Sequence, residues 1–123
     1  MKTVVILGGG YGGLTVAHDL LQAELPDDVS LVLVDRMPFQ GLKTEYYALA
    51  AGTVAESEIR VAFPVDPRLS VTYGEVTAVD PARQLVHIEG RDPLAYDWLV
   101  LALGCTDNYH GIEGAEAHSL SLQ

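Results

Sequence analysis

Residues 4 to 7, Val-Val-Ile-Leu, run directly into Gly8-Gly9-Gly10-Tyr11-Gly12-Gly13. No other stretch limits the fold as strongly. An unbroken apolar run suits a strand buried on both faces. The glycines that end it permit a tight turn and a close backbone approach. Leu14, Ala17, Leu20, Leu21 and Leu25 then recur at helical spacing, with His18, Asp19, Gln22 and Glu24 mostly elsewhere on the wheel. Pro26-Asp27-Asp28 stops that helix, and a second apolar strand, Ser30 to Val34, ends in Asp35, 22 residues beyond Gly13.

The order strand, glycine turn, helix, strand, acid is the one needed to hold a dinucleotide. Gly8 allows the sharp turn, Gly10 leaves room for a pyrophosphate, and Gly13 lets helix and strand pack closely. The helix N-terminus offers free amides and a partial positive charge to phosphate. Asp35 is placed to accept hydrogen bonds from ribose hydroxyls and to repel a 2′-phosphate, which favours FAD or NAD over NADP. Arg36 beside it weakens that preference, because a guanidinium pairs well with phosphate. The expected fold class is α/β, a Rossmann-like parallel sheet.

Composition narrows the partners. The 123 residues allow one domain or part of one. Seven basic against seventeen acidic residues give a net charge of −10 and no basic stripe, which argues against nucleic acid and against charge-driven binding to an anionic membrane. The single cysteine, Cys105, excludes an internal disulfide and fits a cytoplasmic setting. The opening apolar run is too short for a signal peptide or a membrane span.

Beyond Asp35, the pattern predicts a loop over residues 37–41, a short helix from Thr44 to Ala51 stopped by Gly52, and a turn from Glu56 to Val61. Val71 to Val79, Leu85 to Ile88 and Leu94 to Tyr96 read as short antiparallel strands separated by Pro- and Gly-containing turns. Trp98 to Ala102 reads as a further buried strand. The expected organisation is a Rossmann crossover over 1–36, a helical and loop segment over 37–69, a small antiparallel meander over 70–96, and a return strand and loop over 97–123. These elements do not finish a doubly wound sheet, so the expected dinucleotide-binding domain is incomplete.

Tyr96-Asp97-Trp98-Leu99-Val100-Leu101-Ala102-Leu103-Gly104 resembles the second signature of flavoproteins with two dinucleotide-binding domains, with Leu103 where that family usually has threonine. Lys43-Thr44-Glu45-Tyr46-Tyr47-Ala48-Leu49-Ala50-Ala51-Gly52-Thr53 and Gly111-Ile112-Glu113-Gly114-Ala115 resemble segments of type II NADH dehydrogenases, Glu113 replacing a usual proline. Gly74 to Asp80 resembles the strand where a valine backbone, here Val76, meets the adenine.

The resemblance implies an FAD-dependent NAD(P)H oxidoreductase, in which NADH gives a hydride to the flavin and the flavin passes electrons to a quinone or another acceptor. It implies that this chain is the N-terminal part of a longer flavin domain, inactive by itself. The parent would contact the inner face of a membrane through other regions. The implied cofactor-binding set is Gly8, Gly10, Tyr11, Gly12, Gly13, Asp35, Arg36, Lys43, Thr44, Val76, Ala102, Leu103 and Gly104. Lys43, Thr44 and residues 102–104 would form part of the flavin wall.

Other chemistries fit less well. Cys105 lacks the second cysteine a disulfide reductase needs, and a small buried thiol is the plainer reading. Asp107, His110, Glu113 and His118 match no closed zinc spacing. No tyrosine has a lysine four residues on, so the acid–base pair of short-chain dehydrogenases is absent. The tyrosines read as packing residues with a polar tip. A non-catalytic module that senses NAD or FAD fits the glycine turn equally well. Self-association is expected of either, because an unfinished sheet leaves an open edge.

Overall fold

The computed structural model describes residues 1–122. Its centre is a four-stranded parallel sheet in the order β5-β2-β1-β9. Strand β1 spans Lys2–Leu7, β2 Val29–Asp35, β5 Leu69–Tyr73 and β9 Trp98–Leu101. Helix α1, Tyr11–Gln22, connects the first two. A three-stranded antiparallel sheet lies outside: β6 (Val76–Asp80), β7 (Leu85–Ile88) and β8 (Leu94–Ala95).

Alternation along β1 explains how these layers stack. Val4 and Ile6 face one side, where they join Leu31 and Leu33 of β2 and Leu14 and Ala17 of α1. Val5 and Leu7 face the other side, where they join Val34 and, from β7, Val86 and Ile88. The helix therefore covers one face and the meander the other, which is why β1 reads as continuously apolar. Each such side chain, fully buried, contributes about 1.5–3 kcal/mol relative to exposure.

The structure corrects several expectations. Residues 71–79 are not one antiparallel strand. The chain breaks after Tyr73; β5 pairs parallel with β2, Asp35 opposite Tyr73, and only β6 enters the meander. Gly74 makes the break, donating its amide to the Asp35 carbonyl at 3.0 Å. The expected loop over 37–41 contains β3, Phe39–Gly41, and the expected turn at 56–61 ends in β4, Arg60–Ala62. The two pair antiparallel, Gln40 opposite Val61, with the Arg60 guanidinium 4.2 Å from the centre of the Phe39 ring. Three-residue strands that pair across an intervening helix carry no periodicity to read.

The expected helix from Thr44 to Ala51 is a 3₁₀ turn, Lys43–Glu45, followed by α2, Tyr46–Ala50. Its end is as expected. Gly52 has φ +74°, its amide bonds to Leu49 O, and that of Thr53 bonds to Ala48 O, which together form a Schellman motif. The last turn of helix, α3, covers Ala115–His118. Among the described residues, no helix is long and apolar enough to cross a membrane.

Candidate functional site

The strand order places a crevice at the carboxyl ends of β1 and β9. From β1 the chain leaves through α1 to β2 on one side, while β9 lies on the other, so the two neighbouring connections diverge. Such a switch point is where open α/β sheets hold ligands. Leu7 pairs with Leu101 at this end, and the Ala102 amide donates to Leu7 O at 2.8 Å.

Each glycine of the turn meets a different demand. Gly8 has φ +102°, and a Cβ there would lie 2.1 Å from Ala102 O. A Cβ at Gly13 would lie 1.7 Å from Gly8 O and 3.4 Å from Ile6 Cγ2, so the first turn of α1 sits directly on the glycine bend. Gly10 differs from both. Nothing lies within 4 Å of where its Cβ would be, and its φ of −86° suits any residue. Neither packing nor backbone strain requires glycine at position 10, and the space in front of it is open.

Asp35 crosses to this bend. Its Oδ2 accepts the Gly9 amide at 2.6 Å and its Oδ1 accepts the Met37 amide at 2.8 Å. The carboxylate thus ties the glycine turn to the end of β2. Arg36, next to it, is exposed. Gly74 links to the Asp35 carbonyl, so Val76 follows two residues after a direct contact with the end of β2.

The predicted residues from further along the chain converge on the same crevice. The Tyr11 hydroxyl lies 3.0 Å from Thr44 Oγ1, linking the start of α1 to the 3₁₀ turn. A Cβ at Gly104, φ +83°, would lie 3.8 Å from Lys43 Nζ. A Cβ at Gly12 would lie 3.7 Å from the Ala102 side chain. Leu103 is exposed after β9. These contacts connect the glycine turn to the 3₁₀ turn and to the exit of β9, beside the free leading amides of α1.

An FAD fits this donor set. Backbone amides at a helix start offer phosphate contacts, and the gap at Gly10 admits a pyrophosphate. Lys43 contributes positive charge at the β9 side, with an acid at the β2 side. Among the described residues, no group of three or more His, Cys, Asp or Glu is placed to hold a metal ion.

Cys105 is exposed, not buried as expected, because it follows β9 into an open polar loop. Phe63 went unnoticed in the sequence, yet its ring lies against Gly9: a Cβ at Gly9 would be 2.7 Å from Phe63 Cζ. Its only local signal is an apolar residue before Pro64, which favours extended backbone. Of the tyrosines expected to pack, Tyr46 does, its hydroxyl where a Cβ at Gly41 would be, whereas Tyr11, Tyr47 and Tyr73 are exposed.

Comparison with known proteins accords with this geometry. Residues 2–123 match the family described as pyridine nucleotide-disulphide oxidoreductase. The NADH dehydrogenase-like protein YutJ of Bacillus subtilis (strain 168) is 50% identical over the whole chain, which covers 35% of that protein. The sulfide-quinone reductase of Aquifex aeolicus (strain VF5) is 30% identical over 98% of the chain and 28% of its own length. The chain thus spans about a third of the curated relatives it matches.

The solved sulfide:quinone oxidoreductase from Aquifex aeolicus superposes with a TM-score of 0.84 at 29% identity, over 99% of this chain and 28% of that one. The structure of NDH2 from Plasmodium falciparum, at 20% identity and a TM-score of 0.78 over 94% of this chain and 25% of that one, shares the fold. The family match and these likenesses agree with the crevice, the glycine turn and the return strand: this chain belongs to the pyridine nucleotide-disulphide oxidoreductases.

Proposed function

We propose that the chain holds the ADP side of FAD as the first part of an FAD-binding domain, in a longer NADH-oxidising flavoprotein of the NADH dehydrogenase type. The observation that carries this reading is Gly10, a glycine with no steric neighbour and no strained φ, placed at a helix start between an acid and a returning strand. The names of the relatives support an NADH-linked oxidoreductase and give the non-catalytic alternative no support.

In this reading, the amides of residues 10–13 face the pyrophosphate, Asp35 faces the ribose, and Arg36 and Val76 lie at the adenine end. Lys43, Thr44 and residues 102–104 line the side toward the flavin, and Tyr11 braces Thr44. FAD, when bound, supplies hydride and electron-transfer chemistry, while the protein supplies orientation and electrostatics. NADH as donor, a quinone as acceptor, a cytoplasmic setting and membrane contact belong to the same proposal for the whole protein. The 123-residue chain by itself should turn over little or no NADH, because none of its residues is assigned to a nicotinamide.

Gly10→Val tests the reading. The new side chain enters open space, so circular dichroism should match the parent chain, and Tm should fall only by what a poorer N-cap costs, about 1 kcal/mol. FAD and ADP affinity should fall at least about a hundredfold, a penalty of about 2.7 kcal/mol. A correctly folded Gly10→Val protein with undiminished flavin affinity would overturn it.

A further inference from the structure

We infer that Phe63 is a positioning residue for the glycine turn: its ring backs the Gly9 peptide and holds the Gly9 amide on the Asp35 carboxylate. Three observations meet at Gly9. Its amide donates to Asp35 Oδ2 at 2.6 Å. A Cβ at Gly9 would lie 2.7 Å and 2.8 Å from Phe63 Cζ and Cε1. The same point is 3.2 Å from Asp35 Oδ2, so ring edge and carboxylate flank one α-carbon. Gly9 is therefore glycine because of Phe63, not because of any ligand.

Phe63 is well placed for this task. It is 8% exposed and packs in the cluster of Val4, Ile6, Leu31 and Leu33 beneath the turn. It arrives there on the β3–β4 ribbon, which immediately precedes it. A hydrogen bond to a charged acceptor gains strength when apolar groups keep water away. The ring supplies that cover, while the carboxylate's second oxygen is held by the Met37 amide. The ribbon, which has no part in the parallel sheet, thus delivers Phe63 to the glycine turn.

The inference rests on the dinucleotide reading only for its consequence in binding. The geometry at Gly9 is tested separately, by hydrogen exchange resolved to single amides in the 123-residue chain. Phe63→Leu keeps most of the apolar volume but removes the ring edge. Exchange at Gly9 should rise about tenfold, the size expected for losing one protected bond. Exchange at Ile6 and Leu33, which share the core with Phe63, should rise less than at Gly9, and ADP affinity should fall severalfold. Gly9→Ala should lower Tm, and combining it with Phe63→Val, which removes the nearest contacts of the new methyl, should cost less than the two changes made separately.

Unchanged Gly9 exchange in Phe63→Leu overturns the inference. So does equal acceleration at Gly9, Ile6 and Leu33, which would mean general destabilisation. Purely additive costs of Gly9→Ala and Phe63→Val also count against it. If ADP does not bind the unaltered chain, the dinucleotide reading fails, and the Gly9 exchange rate still decides the role of Phe63.

Discussion

At the scale of the residue, similar glycines serve dissimilar ends. Gly8 is needed for its φ and for Ala102, Gly9 for Phe63, and Gly13 for the carbonyl of Gly8, whereas Gly10 has no neighbour to avoid. The two ends of the motif should therefore respond oppositely to substitution. Gly13→Ala drives a Cβ into backbone that cannot move aside, and it should cost about 3 kcal/mol or more in urea unfolding, at the upper end of overpacking penalties. Gly10→Val should cost unfolding only about 1 kcal/mol, as a poorer N-cap, and remove binding. The glycine spacing was legible in the sequence, as was the acid that faces it, because both recur at fixed offsets along one crossover. Phe63 was not, since no local pattern announces an aromatic that packs 54 residues away from its target. The exposure of Cys105 was equally hidden, because it depends on where the chain goes after β9.

At the scale of the element, β9 is anchored to β1 by its leading residue. Asp97 accepts the Thr3 amide at 2.8 Å, returns its own amide to Thr3 O at 2.9 Å, and meets Lys2 at 3.4 Å. The Thr3 amide holds the Asp97 carboxyl below its ordinary 3.8; burial opposes this, and the Lys2 charge adds to it. A lowered folded-state pKa contributes stability above the unfolded value and loses it as pH falls through the folded one. Asp97→Asn should accordingly lower Tm at neutral pH. The gap to the parent chain should narrow as pH falls from about 3.8 through the lower folded-state value, below which both side chains are neutral. A Tm difference independent of pH would assign Asp97 a purely steric role. Here the sequence misled in another place: residues 71–79 looked like one strand because apolar periodicity does not record a change of sheet. The break at Gly74 follows from tertiary contacts, with the Asp35 carbonyl on one side and Ile88 on the other.

At the scale of the whole molecule, β9 is an edge strand among the described residues, and its Trp98 and Leu101 are 54% and 69% exposed. Beside it, Val16, Leu20, Leu25, Val29, Trp98 and Val100 line an apolar groove of about 430 Å³. Unpaired edges and apolar surface favour association, whereas a net charge of −10 opposes it. Light scattering should find self-association of the 123-residue chain that strengthens with added salt, as screening removes the repulsion. Leu101→Lys on the edge should weaken it. A chain that stays monomeric at high concentration in high salt would show that this edge is adequately protected by its own loops.

From the amino-acid order alone came the crossover, the glycine bend, the facing acid and the kind of ligand they suit. These are local in sequence, and their physics is carried by backbone geometry and by strict two- and 3.6-residue periods. Only the folded chain decided that β5 joins the parallel sheet, that β3 and β4 pair, and that Phe63 backs Gly9. Those arrangements rest on contacts between distant segments, where shape and available surface, not periodicity, select the partner.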